Sequence, residues 1–428
     1  MKSFFYSFSF LLSISVFGQF QVKITAPSHF SSEEAILYTL MGSKDVIVSK
    51  GIKQNNQWKF KVPTNYVGMM KVYFPEINGT INFISENKDV EFGFDVEKNK
   101  ITQVYYQDAA NELMDKVQDI EQKKEIILPA LYQINEYYKK SSDFKTAVNT
   151  EINRLSTQLN IDPLKYPFVS YYNLNYNKFL VKEVSKPEPS TADIIQFINN
   201  SNEYLESSSL LRPILVSLLN KAPKTNVDSI VDTLLTKVNV ETPRGQVVLS
   251  ELIDVFDAYG MNNLKSKYLS LAKNLKCTIS DRLSKTIKQN ENTEIGAVFP
   301  DYIFQNAKKT NAKSLHSINA KNKIIVFWSS TCSHCETELP KLIPIYTELK
   351  KRNVEIIGFS LDTDNKTYTD KTSVFPWVDT TELKGWNSNF VETYNVHATP
   401  TFFILDEKNK IIDKPDHVQD VLQYFNLK

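Results

Sequence analysis

Residues 324–335 have the sequence IIVFWSSTCSHC. The apolar run from Ile324 to Trp328 is typical of a short strand that is buried on both faces of a sheet. A short link then leads to Cys332, where the next helix is predicted to begin. Unpaired backbone amides and the positive end of a helix dipole stabilise a thiolate at such a position. We therefore expect the pKa of Cys332 to be lowered and its sulfur to attack disulfides.

The second cysteine of this stretch, Cys335, lies nearly one helical turn after Cys332. Two intervening residues allow both a closed disulfide and an open dithiol, so Cys335 is predicted to resolve a mixed disulfide formed on Cys332. The chain has three cysteines, and only Cys277 lies outside this pair. A scaffold of structural disulfides is therefore not expected, and Cys277 is interpreted as a buried small apolar side chain.

Strand and helix patterns alternate around this stretch and predict an α/β domain over residues 293–428. Besides the strand at 324–328, the pattern predicts further strands at 354–361, 401–405 and 410–412. The corresponding helices are predicted at 332–349, 387–394 and 418–425.

The preceding sequence divides into two regions with different periodicity. Residues 19–106 contain short alternating or apolar runs separated by turn residues, which predicts an antiparallel β domain of sandwich-like form. Residues 107–292 repeat apolar side chains at three- and four-residue spacing between prolines, which predicts seven or eight helices. The chain of 428 residues is thus predicted to be multidomain, with a β domain, an all-α region and an α/β domain in that order.

Residues 1–18 are interpreted as an export signal. Lys2 supplies a positive start, an apolar core follows from Phe4 to Phe17, and Gly18 is small enough to precede cleavage. The roughly 14 residues of this core fall short of the ~20 that span a bilayer. We expect a periplasmic or otherwise exported protein that is cleaved near Gly18 and has no stable membrane insertion.

The charge balance narrows the classes of partner. A formal net charge of +1 leaves no global field that would attract nucleic acid. Hydrophobic residues make up 42 % of the chain and charged residues 23 %, which is ordinary for a globular protein and argues against disorder.

Several motifs follow one another over about residues 295–428. These are Gly296 with Phe299-Pro300-Asp301-Tyr302, Ile325 to Trp328, Cys332 to Cys335, Val354 to Asp362, Leu383-Lys384-Gly385-Trp386 and Val396 to Thr401. Their order and spacing together resemble the TlpA-like branch of the thioredoxin superfamily, whose members are exported thiol-disulfide oxidoreductases. The strand rhythm of residues 19–106 also resembles the uncharacterised β domain that often precedes thioredoxin modules in secreted TlpA-like proteins.

The resemblance implies roles for further residues. It places a cis Thr399-Pro400 bond opposite the cysteine pair, where the backbone of Thr399 meets an extended substrate, and it puts Trp328 in the substrate-binding set. Glu338 matches a glutamate that follows the second cysteine in TlpA-like reductases and is expected to assist deprotonation of Cys335. The alternative for Glu338 is a solvated glutamate in the first turn of a helix.

The direction of electron flow stays open at this level. His334, between the cysteines, is either a spacer or an imidazolium that stabilises the Cys332 thiolate and makes the disulfide more oxidising. Thr331 stands where many thioredoxins have a substrate-facing tryptophan. The family and Glu338 favour a reductase that acts on exported protein thiols or disulfides and is kept reduced by a membrane electron donor. No cofactor is expected beyond the Cys332–Cys335 disulfide.

Three other functions compete with this interpretation. A zinc or copper site would use the cysteines with His334 or His397, but a closed zinc site needs four ligands. A peroxidase would need a proline where Ile325 stands, although Ser329 fits the hydroxyl position. A partner-binding protein would use the thioredoxin part only as a scaffold.

Overall fold

A computed structural model describes residues 20–98, 100–138, 140, 142–157, 159–181, 187–223 and 226–427. The predicted signal segment 1–18 lies outside these ranges. Internal contacts divide the chain into two units: the described residues of Met1–Leu40 with Asp45–Glu183, and those of Met41–Lys44 with Val184–Lys428. No helix within the described ranges is both long and apolar enough to cross a membrane.

The first unit begins with two four-stranded sheets. One has the order β4-β1-β7-β8 and the other β3-β2-β5-β6. The strands are β1 Phe20–Thr25, β2 Glu34–Met41, β3 Lys44–Ile52, β4 Gln57–Val62, β5 Val67–Phe74, β6 Gly79–Glu86, β7 Val90–Glu97 and β8 Lys100–Tyr106. Alternating side chains of both sheets form one core. Four rings, Phe30, Trp58, Phe74 and Phe94, meet there with centroids 5.0–5.9 Å apart.

The prediction of a purely antiparallel β domain is wrong in one pairing. β1 runs parallel to β7, with Val22 opposite Val90. Consecutive hairpins predict antiparallel neighbours, whereas β1 and β7 are far apart in sequence, so no turn signal reports their direction.

Among its described residues, the first unit also has three helices: α1 Ala109–Tyr137, α2 Asp143–Ser156 and α3 Pro167–Phe179. The buried Asn111 side chain joins α1 to β6, because it accepts from the backbone N–H of Ile84 at 2.7 Å and donates to its carbonyl at 2.9 Å. Pro129 lies within α1 without ending it.

In the part of the second unit that the structure describes, seven further helices precede the α/β domain. They are α4 Thr191–Asn200, α5 Tyr204–Ser207, α6 Leu211–Lys221, α7 Val227–Val238, α8 Pro243–Ala258, α9 Asn262–Lys273 and α10 Asp281–Glu291. Helix α8 is the core of this group and is buried continuously from Gly245 to Phe256. Its Glu251 and Asp254 carboxylates pair with Arg282 of α10 at 2.9 and 2.7 Å, so the helices are joined by buried charges.

The C-terminal sheet has the order β11-β10-β9-β12-β13. Its strands are β9 Asn322–Trp328, β10 Val354–Ser360, β11 Val378–Thr381, β12 Thr401–Leu405 and β13 Ile411–Asp413. β9 pairs in parallel with β10 and antiparallel with β12. Ile324, Val326 and Trp328 face one core, while Ile325 and Phe327 face another on the opposite side of the sheet. This two-sided burial explains the unbroken apolar run.

The predicted order of a β part, a helical part and an α/β part is confirmed.

The helix predicted over residues 332–349 is wrong as one element. Helix α11 covers Ser333–Glu338, a 3-10 turn covers Leu339–Leu342, and α12 covers Tyr346–Lys351. Pro340 and Pro344 cause the interruption, since proline lacks the amide hydrogen and crowds the preceding turn.

The remaining helices cover the sheet. They are α13 Asn365–Thr372, α14 Asn389–Thr393 and α15 Val418–Tyr424. Helix α13 and strand β11 had no counterpart among the predicted elements, because neither carries a run of apolar residues.

Gly245, in the first turn of α8, generates a prediction that opposes helix propensity. A methyl group there would lie 2.0 Å from the carbonyl oxygen of Asn239, a backbone atom that cannot rotate away. We expect Gly245→Ala to lower the free energy of unfolding by about 1–3 kcal/mol through overpacking, although alanine is the better helix former. Chemical denaturation of the full chain measures this, with Thr236→Ala on the exposed face of α7 as a neutral control. A stabilised Gly245→Ala variant would contradict the packing described here.

Candidate active site

Cys332 is the N-cap residue of α11. Its sulfur accepts a hydrogen bond from the backbone N–H of Cys335 at 3.2 Å, and its thiol donates to the carbonyl of Thr399 at 3.2 Å. Both cysteines are free thiols, with Cys335 buried and Cys332 partly exposed. One sulfur is thus open to a partner while the other lies behind it.

The surroundings separate the two thiols by acidity. Burial opposes ionisation of Cys332. Hydrogen bonds from the side chains of Cys335 and Thr399 and from the backbone amides of Cys335 and His334 outweigh it, so the pKa of Cys332 is lowered. Deeper burial, together with the Cys332 thiol, raises the pKa of Cys335 to about 12. This is the direction expected for Cys332, while its role as the nucleophile stays a prediction.

The Thr399–Pro400 bond is cis, as the motif comparison implied. The carbonyl that precedes Pro400 is the one that Cys332 contacts. The structure therefore brings together the cysteine pair and this turn, while substrate contact by Thr399 and Pro400 stays a prediction.

Asp362 fixes the link between β9 and Cys332. One carboxylate oxygen accepts from the backbone N–H of Ser330 at 2.8 Å and from the hydroxyls of Ser330 and Ser329 at 2.7 and 3.0 Å. The other oxygen accepts from Ser360 at 2.7 Å. The sequence interpretation gave Asp362 no role. Its position just after a buried strand parallel to β9 was the available signal.

Trp328 does not fit the substrate-contacting role predicted for it. Its side chain is 1 % exposed, and its indole N–H donates to the Asp379 carboxylate at 3.0 Å. Gly358 lies against this bond, since a methyl group there would come within 1.9 Å of the carboxylate. Trp328 thus supports the end of β9 from within the core.

Asp379 is a buried acid beneath the site that the sequence interpretation missed. Complete burial and, to a smaller degree, the charge of Asp362 raise its pKa to about 8, against the hydrogen bond from Trp328. The Tyr368 side chain also contacts this carboxylate and lowers its pKa, but burial outweighs both contacts. Asp379 is therefore neutral over much of the physiological pH range.

Glu338 lies near the site but has structural partners. Its carboxylate pairs with Lys341 and accepts from the backbone N–H of Val418 at 3.0 Å, at the start of α15. The bond from Lys341, and then that from Val418, lower the pKa of Glu338. A carboxylate held in this way is a weak proton acceptor, so the proton-transfer role stays a prediction without support from these contacts.

His334 and Thr331 are exposed. His334 affects Cys332 through its backbone amide. Cys277 is partly exposed, with the Gln246 amide 3.4 Å from its sulfur. Across the described ranges, no cluster of three or more His, Cys, Asp or Glu side chains is placed to hold a metal ion.

Comparison with known protein families gives a match in this same region. Residues 320–411 match the family described as thioredoxin-like. The thiol-disulfide oxidoreductase ResA of Bacillus cereus is 29 % identical over 29 % of this chain and 70 % of its own. The thioredoxin domain of a thiol-disulfide oxidoreductase from Bacteroides vulgatus is 23 % identical over 31 % of this chain and 97 % of its own, with a TM-score of 0.28. A thioredoxin-like protein from Bacteroides caccae is 14 % identical over 57 % and 99 %, with a TM-score of 0.36.

The difference in acidity between the cysteines predicts selective alkylation. At pH 7 we expect iodoacetamide to modify Cys332 at least about tenfold faster than Cys335, because the thiolate reacts and Cys335 is both buried and less acidic. Peptide mass spectrometry of the reduced chain over a time course measures both rates. Equal rates in the folded protein, with the denatured chain as reference, would contradict the assignment.

The burial of Asp379 predicts a pH dependence of stability. The folded state keeps a proton between the carboxyl's ordinary pKa of 3.8 and about 8, whereas the unfolded state loses it, so this residue makes stability fall as pH rises through that range. We expect the difference in the free energy of unfolding between Asp379→Asn and wild type to increase, in favour of the variant, by on the order of 1–3 kcal/mol as pH rises from 4 to 8. Denaturant titrations at several pH values test this. Asp370→Asn, at an exposed pair with Lys366, should leave the pH profile unchanged, and parallel profiles for wild type and Asp379→Asn would refute the prediction.

Proposed function

We propose that this protein, a TlpA/ResA-like member of the thioredoxin superfamily and a thiol-disulfide oxidoreductase, exchanges disulfides with exported client proteins through Cys332 and Cys335. One observation carries the proposal. Cys332, a partly exposed thiol of lowered pKa, lies at the start of a helix and accepts a hydrogen bond from the backbone amide of Cys335, whose buried thiol can resolve a mixed disulfide. Few functions other than disulfide exchange need two thiols at this spacing.

The reaction proceeds in two exchanges. The Cys332 thiolate attacks one sulfur of a client disulfide, the client S–S bond breaks, and the leaving client thiolate takes a proton from solvent. Cys335 then loses its proton and attacks the Cys332 sulfur, which breaks the mixed disulfide and releases the second client thiol. Two electrons pass from the dithiol to the client, and a Cys332–Cys335 disulfide remains. No bound cofactor takes part.

The Thr399 carbonyl is the proposed contact for the client backbone. It lies 3.2 Å from the Cys332 sulfur, so an extended client segment that bonds to this turn would place its disulfide beside the nucleophile. Pro400 holds the turn beside this carbonyl and belongs to the proposed client surface.

The proton of Cys335 needs an acceptor in the second exchange, since its pKa is about 12 in the dithiol state. Formation of the mixed disulfide removes the neighbouring Cys332 thiol as a cause of this elevation. We keep Glu338 as the proposed acceptor acting through water, and release from Lys341 would be required first.

We propose the reducing direction and an exported location. The ResA relatives are named thiol-disulfide oxidoreductases, and residues 1–18 have the composition of an export signal. Steady reduction of clients would require a membrane electron donor that returns the Cys332–Cys335 disulfide to the dithiol.

A trapping experiment tests the proposal and identifies clients. Cys335→Ser should accumulate client proteins as mixed disulfides on Cys332, because the resolving thiol is absent. Non-reducing gels and mass spectrometry of the exported fraction measure this.

The matched control adds Cys332→Ser to the trap, and Cys277→Ser is included in both proteins to remove the third thiol. Adducts that persist without Cys332, or none with it, would overturn the proposal.

A further inference from the structure

We propose that helices α8 and α10 hold the segment leading to Thr399, and that Asp257, next to the last residue of α8, is a positioning residue for client binding. The inference rests on the proposed function, because it concerns the turn assigned there to the client. It gives the helical region a role in the redox reaction that the cysteine motif does not reveal.

Asp257 contacts two side chains of the segment before Thr399. Its Oδ2 accepts from the Asn395 amide at 2.5 Å and lies 3.3 Å from Nε2 of His397. Its Oδ1 accepts from Lys265 of α9 at 2.6 Å. The Asp257 side chain is 10 % exposed, so water competes little for these bonds.

Asn395 is suited to this contact by its backbone conformation. It follows α14 with φ of 50°, the left-handed conformation that asparagine tolerates better than most residues. The N–H of Val396 donates to the carbonyl of Val391 at 3.0 Å, which is the longer of the two bonds of a Schellman helix ending. The same residue therefore ends α14 and directs its amide to Asp257.

A second contact comes from α10. The buried Gln289 side chain donates to the backbone carbonyl of Glu392 at 3.1 Å, and Lys285 pairs with the Glu392 carboxylate at 2.7 Å. The Lys285 pair is largely exposed and contributes little. The bond from Gln289 is the second anchor of the segment.

The charges around Asp257 favour an ionised carboxylate. Burial works against ionisation, but His397, Lys265 and Lys414 outweigh it and hold the pKa of Asp257 well below its usual range. Charged acceptors make stronger hydrogen bonds than neutral ones. The hydrogen bond from the Asn395 side-chain amide to the Asp257 carboxylate is therefore stronger than one between two neutral groups.

The anchored segment leads directly into the active site. Two residues separate His397 from Pro400, and the Thr399 carbonyl contacts Cys332. On the far side, Thr401 pairs with Phe327 in the sheet. The sheet therefore holds the chain after the turn, and the helices hold the chain before it. Loss of Asp257 loosens the segment before the turn.

The experiment compares two substrates on the full chain. Asp257→Asn removes the charge while it keeps the shape of the side chain. A peptide with an internal disulfide needs the turn, whereas hydroxyethyl disulfide needs little beyond Cys332. We expect the rate with the peptide to fall about fivefold to tenfold relative to the rate with the small disulfide, within the range that misplaced binding groups cost. Hydrogen exchange of residues 392–401 should become faster.

Matched variants exclude general loosening of the helices. Glu206→Gln breaks a similarly buried pair with Arg244 in the same helical group and should change neither the ratio of rates nor the exchange of residues 392–401. Asn395→Gly removes the partner amide while it accommodates the positive φ, so it should reproduce Asp257→Asn even if the latter folds poorly.

Other results would overturn the proposal. The proposal fails if Asp257→Asn and Asn395→Gly both fold but leave the hydrogen exchange of residues 392–401 and the ratio of the two reduction rates unchanged. It also fails if both variants reduce the peptide and hydroxyethyl disulfide with equal losses of rate. If the wild type reduces neither disulfide, the proposed function fails, and exchange alone then decides whether Asp257 holds the segment.

Discussion

The geometry of the site depends on where β9 ends. This strand is buried on both faces and paired on both edges, so it cannot shift by a residue without turning apolar side chains into the wrong core. Its end therefore fixes the link through Ser329 and Ser330, and the link fixes Cys332 at the start of α11. The hydrogen bonds to sulfur follow from that placement, and so does the difference in acidity between the two thiols.

Features that depend on local sequence were predictable. The run from Ile324 to Trp328 indicated a buried strand because every residue in it is apolar, and C-x-x-C spacing indicated which cysteine leads. Features that depend on distant residues were not. Trp328 points inward because Asp379, from another strand, accepts its N–H. Asp362 ends a motif without an assigned role and Asp257 lies outside every motif. Only the fold brings these two acids to Ser330 and Asn395.

Three acids near the site differ in burial and in partners, and so in acidity. Asp379 is fully buried, and burial drives it towards its neutral form despite the contacts with Trp328 and Tyr368. Asp257 is partly buried, faces Lys265, Lys414 and His397, and stays ionised. Glu338 is less buried and already paired with Lys341. The number and charge of the donors, rather than distance from the cysteines, determine which of these groups can exchange a proton near neutral pH.

The contacts of Asp257 and Gln289 also bear on how the chain can be divided. A fragment that begins at residue 293 would keep both cysteines, the cis turn and the whole sheet. It would leave behind the acceptor for the Asn395 amide and the donor to the Glu392 carbonyl, and water would have to replace both. Small disulfides would still reach Cys332 in such a fragment. The segment before Thr399, however, would lose the anchors that the helical region supplies in the intact chain.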